Sequence, residues 1–239
     1  MPTKKGKLYL IPTPLGEDSY APIPEQTLAI ARELRVFVVE KGKVARRYLK
    51  DFGLTAPLQE CRYFELNKFT EEQDIPTFLE PALKEGLDIG LLSDAGAPGV
   101  ADPGARVVRL AHELDIEVVP LTGPSSILLG LMAAGLDGQR FRFHGYLSPK
   151  RPQLAQALQK LERESRKAKQ TEIFIEAPYR NDAVFETALQ ALSPTTDFSV
   201  ATDLTLDSQY VCTKSIAAWQ KVTAPALHKR PTLFLLLAR

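Results

Sequence analysis

Cysteine and histidine are scarce in this 239-residue chain, which holds two of the first and three of the second. Cys61 and Cys212 stand far apart without a Cys-x-x-Cys pair, and His112, His144 and His228 are scattered. Neither a disulfide framework nor a metal site is indicated, and two free thiols of a non-secreted chain are expected. Long apolar runs are also missing. The run behind the basic N-terminus stops at Pro12, and the longest candidate, 127–136, is interrupted by Gly130 and Gly135. A signal h-region needs ~7–15 apolar residues and a membrane span ~20. A soluble, cytoplasmic protein without a membrane partner is expected. Net charge is close to zero, with 30 Lys+Arg against 29 Asp+Glu. No global field attracts a polyanion, so any nucleic-acid contact must come from a local basic patch.

What is present is an alternation of short aliphatic runs with amphipathic stretches. Strands are expected over 7–11, 36–40, 88–92 and 116–120. Helices are expected over 25–34 behind Pro24, over 44–52 ended by Gly53, over 70–86 and over 105–114. Thr70-Glu71-Glu72-Gln73 is a capping-box pattern, and Pro124-Ser125-Ser126 opens a further helix. This order predicts an α/β domain with a mostly parallel sheet and crossover helices. From 141 the pattern changes to strand 141–146, helix 151–167, strand 171–176 and helix 180–192, then strand runs over 198–204, 210–215 and 232–238. Strands in succession predict a mixed sheet with antiparallel members. Two α/β domains are therefore expected, 1–135 and 136–239.

Ligands in open α/β sheets bind beyond the carboxyl ends of the strands. Three such loops stand out: Pro12-Thr13-Pro14-Leu15-Gly16, the stretch 93–104, and Thr122-Gly123-Pro124-Ser125-Ser126. Each combines glycine, proline and small hydroxyl residues, which lets main chain approach a ligand closely. Ordinary turns share that composition. The stretch 93–104 is nevertheless longer than the usual ~2–6 residue connection. No Gly-x-Gly-x-x-Gly opens the first helix, and no P-loop or Gly-x-Ser-x-Gly elbow occurs, so their usual phosphate and nucleophile chemistries are unsupported.

The segments Leu8-Tyr9-Leu10-Ile11-Pro12-Thr13-Pro14-Leu15-Gly16, Ser93-Asp94-Ala95-Gly96-Ala97-Pro98-Gly99 with Asp102-Pro103-Gly104, and Pro120-Leu121-Thr122-Gly123-Pro124-Ser125-Ser126 resemble the tetrapyrrole methylase superfamily. Phe143-His144-Gly145-Tyr146 and Glu176-Ala177-Pro178-Tyr179-Arg180 extend the resemblance to the branch that methylates ribose hydroxyls of small-subunit ribosomal RNA. The resemblance implies a homodimer with S-adenosyl-L-methionine in a cleft between two α/β domains. It implies donor contacts from Leu15, Asp94, Ala97, Ser125, Ser126 and Ile127, and from Ile175, Pro231 and Thr232. The sequence departs from the branch in three places. Glu40-Lys41-Gly42-Lys43 replaces its Glu-Asp-Thr-Arg, Tyr179 replaces a histidine, and its short extra C-terminal segment is expected to be lacking. These departures leave two alternatives open, a small-molecule or protein acceptor and a cofactor-binding protein without activity.

Methyl transfer to a hydroxyl needs alignment and a base. Glu176, with Arg180 behind it, is the candidate for organising the acceptor. Glu40 and His144 are further candidates, against the roles of ion pair, helix cap and core histidine. Ribosomal RNA, alone or in the small subunit, is the partner implied. Lys41, Lys43, Arg46, Arg47 and Lys50 form a basic run without an acid. Arg140, Arg142, Lys150 and Arg151 form a second, and a third spans 160–169. Such runs serve either phosphate binding or plain solvation.

Overall fold

A computed structural model describes residues 4–16, 19, 23–148 and 150–239. The chain forms two compact units, Met1–Ser125 and Ser126–Arg239.

The first unit is built on a five-stranded parallel sheet of order β3-β2-β4-β1-β5. Its strands are β1 (Leu8–Ile11), β2 (Val36–Val39), β3 (Arg62–Glu65), β4 (Ile89–Leu92) and β5 (Val118–Pro120). The helices are α1 (Glu25–Glu33), α2 (Gly42–Phe52), α3 (Ile75–Lys84) and α4 (Ala105–Glu113). Successive strand residues point to opposite faces, so β2 sends Val36 and Val38 to one side and Phe37 and Val39 to the other. The first pair packs with Phe78 and Leu79 of α3 and with Val107 and Ala111 of α4. The second packs with Ala31 of α1 and with Ala45, Leu49 and Phe52 of α2. Both faces of the sheet are thereby covered, which is why its central strands are apolar on both sides. Gly53, at φ +77°, ends α2 in the left-handed region that glycine enters without a steric penalty.

Two details differ from the sequence expectations. Residues 62–65 carried no strand expectation, yet they form β3. This is an edge strand whose Arg62 and Glu65 are exposed, so it lacks an apolar run. The helix expected from Thr70 begins at Ile75, after a 3-10 turn at Glu72–Asp74. The Thr70 hydroxyl is taken up locally, accepting from Asn67 N at 2.9 Å and donating to Glu65 O at 3.1 Å. It therefore does not cap α3.

The second unit holds α5 (Ser126–Ala134), β6 (Phe141–Tyr146), α6 (Arg151–Ala168), β7 (Thr171–Ile175), α7 (Asn181–Ala191), β8 (Asp197–Thr202), β9 (Tyr210–Ser215), α8 (Ile216–Trp219) and β10 (Thr232–Leu237). Its sheet order is β6-β7-β10-β8-β9. The β6–β7 pair is parallel, while β10 runs antiparallel to both its neighbours and β9 antiparallel to β8. Phe174, Phe234 and Phe198 stack in a row in the core, and Trp219 meets Phe185 edge-on. Trp219 Nε1 donates to Phe198 O at 2.7 Å, so the largest core side chain is buried without an orphaned donor.

The division falls at 125/126, ahead of the boundary expected at 135/136, because α5 packs on β8, β9 and β10. Gly130 makes that approach possible: a Cβ there would lie 2.3 Å from Leu233 Cδ2. Leu233 is itself buried and cannot retreat freely. Gly130→Val is therefore expected to lower stability by about 2 kcal/mol, the scale of core overpacking. Ala133→Val, at an exposed position of the same helix, should stay within ~0.5 kcal/mol. Urea midpoints of the two variants against the parent check this.

Candidate functional site

The parallel order brings the carboxyl ends of β1, β2, β4 and β5 to one edge of the first unit. There the first and central loops are joined by main chain. Thr13 N donates to Gly96 O at 3.0 Å and Gly96 N to Thr13 O at 3.1 Å. The Thr13 hydroxyl donates to Ser93 O, and the Ser93 hydroxyl to Gly96 O. Gly96 adopts φ +77°, and a Cβ on it would lie 3.0 Å from Leu15 Cδ2 and 3.5 Å from Pro124 O. Three loops thus converge on one glycine. The third is tied down separately, with the Thr27 hydroxyl donating to Thr122 O at 2.8 Å.

Two carboxylates hold the central loop. Asp102 accepts from Gly99 N at 2.8 Å and 3.0 Å and from Gly104 N at 2.7 Å. Glu40, just beyond β2, accepts from Asp94 N at 2.9 Å. Burial pushes both carboxyls above their ordinary values, against the hydrogen bonds that favour the ionised forms. The Asp94 side chain pairs with Lys41 Nζ, and the Tyr48 hydroxyl of α2 donates to Asp94 O at 3.2 Å. The hydrogen bond from Lys41 Nζ to the Asp94 carboxylate, with the charge of that carboxylate, pushes the Lys41 ammonium up.

Of the residues expected to contact a donor, Leu15, Asp94, Ala97 and Ser125 belong to this edge, all partly exposed. Ser126 and Ile127 open α5 in the second unit.

The remaining candidates gather at one end of the second sheet. Ile175 ends β7 and pairs with Leu233 of β10, which sets Glu176 beside Thr232. Pro231 O accepts from Asp203 N at 2.9 Å and from the Thr202 hydroxyl at 3.1 Å. Thr232 Oγ1 meets Thr202 Oγ1 at 2.9 Å. Arg230 anchors the approach to this segment, with Nε 2.7 Å from Asp203 Oδ2 and Nη1 2.7 Å from Ala226 O.

Glu176 is 8% exposed. Its Oε1 accepts from Ala177 N at 2.8 Å. Its Oε2 lies 3.6 Å from Arg180 Nη2 and has no hydrogen-bond partner among the described residues. A buried carboxylate oxygen left open in this way is costly unless a ligand uses it.

His144 is placed elsewhere, bound to the fully buried Glu172 at 2.6 Å, so the core role is the one observed. With Glu164 these residues offer three ligand atoms within 4.8 Å. Each carboxylate is already engaged, Glu172 by Gln170 and Glu164 by Arg142 and Lys160. In the second basic run Arg151 pairs with Glu186. In the first, Lys43, Arg46, Arg47 and Lys50 lie on the exposed face of α2. Tyr48, Asp203 and Arg230 were not singled out from sequence, because the Tyr48–Asp94 and Arg230–Asp203 contacts join residues far apart along the chain.

This is a two-unit α/β protein whose candidate ligand edge is the carboxyl end of a parallel sheet. Residues 7–219 match the family model of the Tetrapyrrole (Corrin/Porphyrin) Methylases, and the chain belongs to that family. It is 37% identical over 176 residues to "Ribosomal RNA small subunit methyltransferase I" of Escherichia coli O157:H7, an alignment that covers 74% of this chain and 57% of that one. The like-named Synechocystis protein is 33% identical over 201 residues, covering 84% and 67%. A crystal structure of the methyltransferase CobJ superposes with TM-score 0.62 at 19% identity, covering 98% of this chain and 94% of that one, and shows the same fold. The chain spans less than three fifths of the length of the Escherichia coli relative. Among the described residues no helix is long and apolar enough to cross a membrane.

The raised Glu40 carboxyl sets a pH dependence. Because it holds its proton more tightly folded than unfolded, ionising it costs folding free energy. That cost is absent below the ordinary value of 4.5 and complete above the raised one. Glu40→Gln keeps an acceptor for Asp94 N but does not titrate. On acidification from neutral pH to 4.5 the parent should gain stability relative to this variant. Urea midpoints of both proteins at the two pH values test it, and a flat or opposite difference would contradict it.

Proposed function

We propose that this chain is a methyltransferase that uses S-adenosyl-L-methionine to methylate a ribose 2′-hydroxyl of small-subunit ribosomal RNA. The observation that carries the reading is the family match over 7–219, joined to relatives whose names specify the small ribosomal subunit. When bound, S-adenosyl-L-methionine supplies a methyl group activated on a sulfonium. The residues present fit such a ligand. Asp94 offers a carboxylate to ammonium or hydroxyl groups, and the loop main chain is bare of side chains at Gly96 and Gly99. Leu15, Asp94, Ala97, Ser125, Ser126, Ile127, Ile175, Pro231 and Thr232 would hold it, largely through backbone.

A ribose hydroxyl is a weak nucleophile near neutral pH, so removing its proton is the protein's main chemical task. Glu176 Oε2, buried and without a hydrogen bond among the described residues, takes that proton, and Arg180 fixes the orientation of the carboxylate. The rest of the rate enhancement comes from alignment, which rigid loops provide. The altered segment Glu40-Lys41-Gly42-Lys43 supports an active protein, because Glu40 still binds Asp94 N. We place the protein in the cytoplasm as a homodimer, which light scattering on the purified chain tests.

Glu176→Gln is expected to slow methyl transfer to undermethylated small subunits by about 10²–10⁴-fold. Calorimetric affinity for the donor should stay unchanged. Mass spectrometry of nuclease digests locates the new methyl group. An unchanged rate removes the role of Glu176, and methyl found only on a small or protein acceptor removes RNA as substrate. Absence of donor binding overturns the reading as a whole.

A further inference from the structure

The loop that follows β3 carries an unusual surface residue. Phe69 is 79% exposed, although it has no polar tip to favour solvent. It is not a loosely held side chain on a floppy segment. Phe69 N donates to Asn67 Oδ1 at 2.9 Å, Asn67 N to Thr70 Oγ1 at 2.9 Å and Thr70 N to Asn67 O at 3.1 Å. The ring is therefore presented by a closed turn. Lys68 Nζ sits 4.8 Å from its centroid.

The neighbouring element is α2. Glu65 Oε1, from the end of β3, accepts from Gly42 N at 3.0 Å at the start of α2. The Arg46 guanidinium lies 4.6 Å from the centroid of Tyr63 on β3. Glu65 also accepts from the Thr70 hydroxyl at 3.1 Å through its carbonyl, so this one residue ties the start of α2, where Lys43 lies, to the Phe69 turn. Along that face Lys43, Arg46, Arg47 and Lys50 recur at helical spacing and are exposed, while Ala45, Tyr48, Leu49 and Phe52 face the core. The two acids next after the turn are already engaged, Glu71 by Gln73 and Glu72 by Arg106.

We propose that α2 and the Lys68–Phe69 turn form a binding surface for single-stranded RNA, with a base stacked on Phe69 and phosphates held by Lys43 and Arg46. The pairing of a cationic track with an exposed aromatic ring is the arrangement that single strands require, since every unpaired base has a face to stack. A duplex keeps its bases stacked inside and offers only phosphates and sugar edges, so it cannot use the ring. An acidic protein surface would use the cations but gain little from an isolated phenyl ring. The surface adjoins the candidate donor edge, because Lys41 and Tyr48 of the same segment both contact Asp94. The proposal rests on the RNA methyltransferase reading and specifies which form of RNA it meets.

Fluorescence anisotropy with a short single-stranded oligoribonucleotide, and with the duplex of the same sequence, tests it on the full chain. Phe69→Ala should weaken single-strand binding about tenfold and leave duplex binding unchanged, and Phe69→Trp should restore it. Lys43→Ala and Arg46→Ala should each lower the slope of log affinity against log salt by about 0.7. Thermal melting confirms that each variant is folded, and Lys43→Ala and Phe69→Ala alter only exposed side chains. Phe69→Ala binding the single strand as tightly as the parent, a parent preference for duplex, or preferential capture of an acidic peptide would each overturn the proposal. Donor affinity, measured on the same samples, separates the two levels. Donor binding with RNA binding indifferent to Phe69 sinks this surface alone, whereas no donor binding sinks the methyltransferase reading beneath it.

Discussion

The candidate ligand edge depends on two reciprocal hydrogen bonds between Thr13 and Gly96. Adjacent parallel strands end side by side, but their following loops have no reason to stay together. Here the loops after β1 and β4 are made to continue the sheet by one antiparallel bridge. Gly96 at φ +77° then turns the chain away, and Leu15 and Pro124 close around the space where a side chain would otherwise be. A larger residue at Gly96 would strain the backbone and separate the three loops together. The sheet thus supplies position, and the bridge converts position into a fixed main-chain surface.

The central loop is held by charge that is expensive to bury. Asp102 satisfies Gly99 N and Gly104 N, and Glu40 satisfies Asp94 N, so two carboxylates replace what regular structure would supply in a stretch too irregular for it. Their raised carboxyl values record the desolvation involved. Apolar packing cannot do this work, because the groups needing partners are peptide N–H donors. The second unit repeats the solution at the start of β10, where Arg230 and Asp203 brace the segment leading to Pro231 and Thr232.

Most of this architecture was legible in the sequence where one physical signal dominates. The apolar runs of β1, β2 and β4 mark strands covered on both faces, and Gly53 marks the end of α2 by its backbone freedom. Legibility fails where partners are not local. Arg62-Tyr63-Phe64-Glu65 forms a strand only because β2 lies beside it. Thr70 has the sequence of a helix cap, yet its hydroxyl serves the preceding turn. Helix α5 follows the first sheet in the chain, but its apolar surface and Gly130 fit it to the second. In the candidate site the loops announce themselves through glycine and proline. The Lys41–Asp94 pair spans 53 positions and Arg230–Asp203 spans 27, so no local pattern could announce either.

Asp94 combines a fixed main chain with an exchangeable side-chain partner. Its main chain is held from two directions, by Glu40 at the amide and by Tyr48 at the carbonyl. Both are partly buried bonds, and together they fix where the residue sits. Among the described residues its side chain pairs with Lys41, whose own side chain is 69% exposed. Ion pairs of that exposure contribute roughly 0–1 kcal/mol and weaken with salt. A ligand group competing for the Asp94 carboxylate would therefore displace Lys41 at little cost, with the main chain of Asp94 already held in place. The released ammonium remains at the head of a basic helix. Lys41 thus links the candidate donor loop to the head of α2 while adding little to the stability of either.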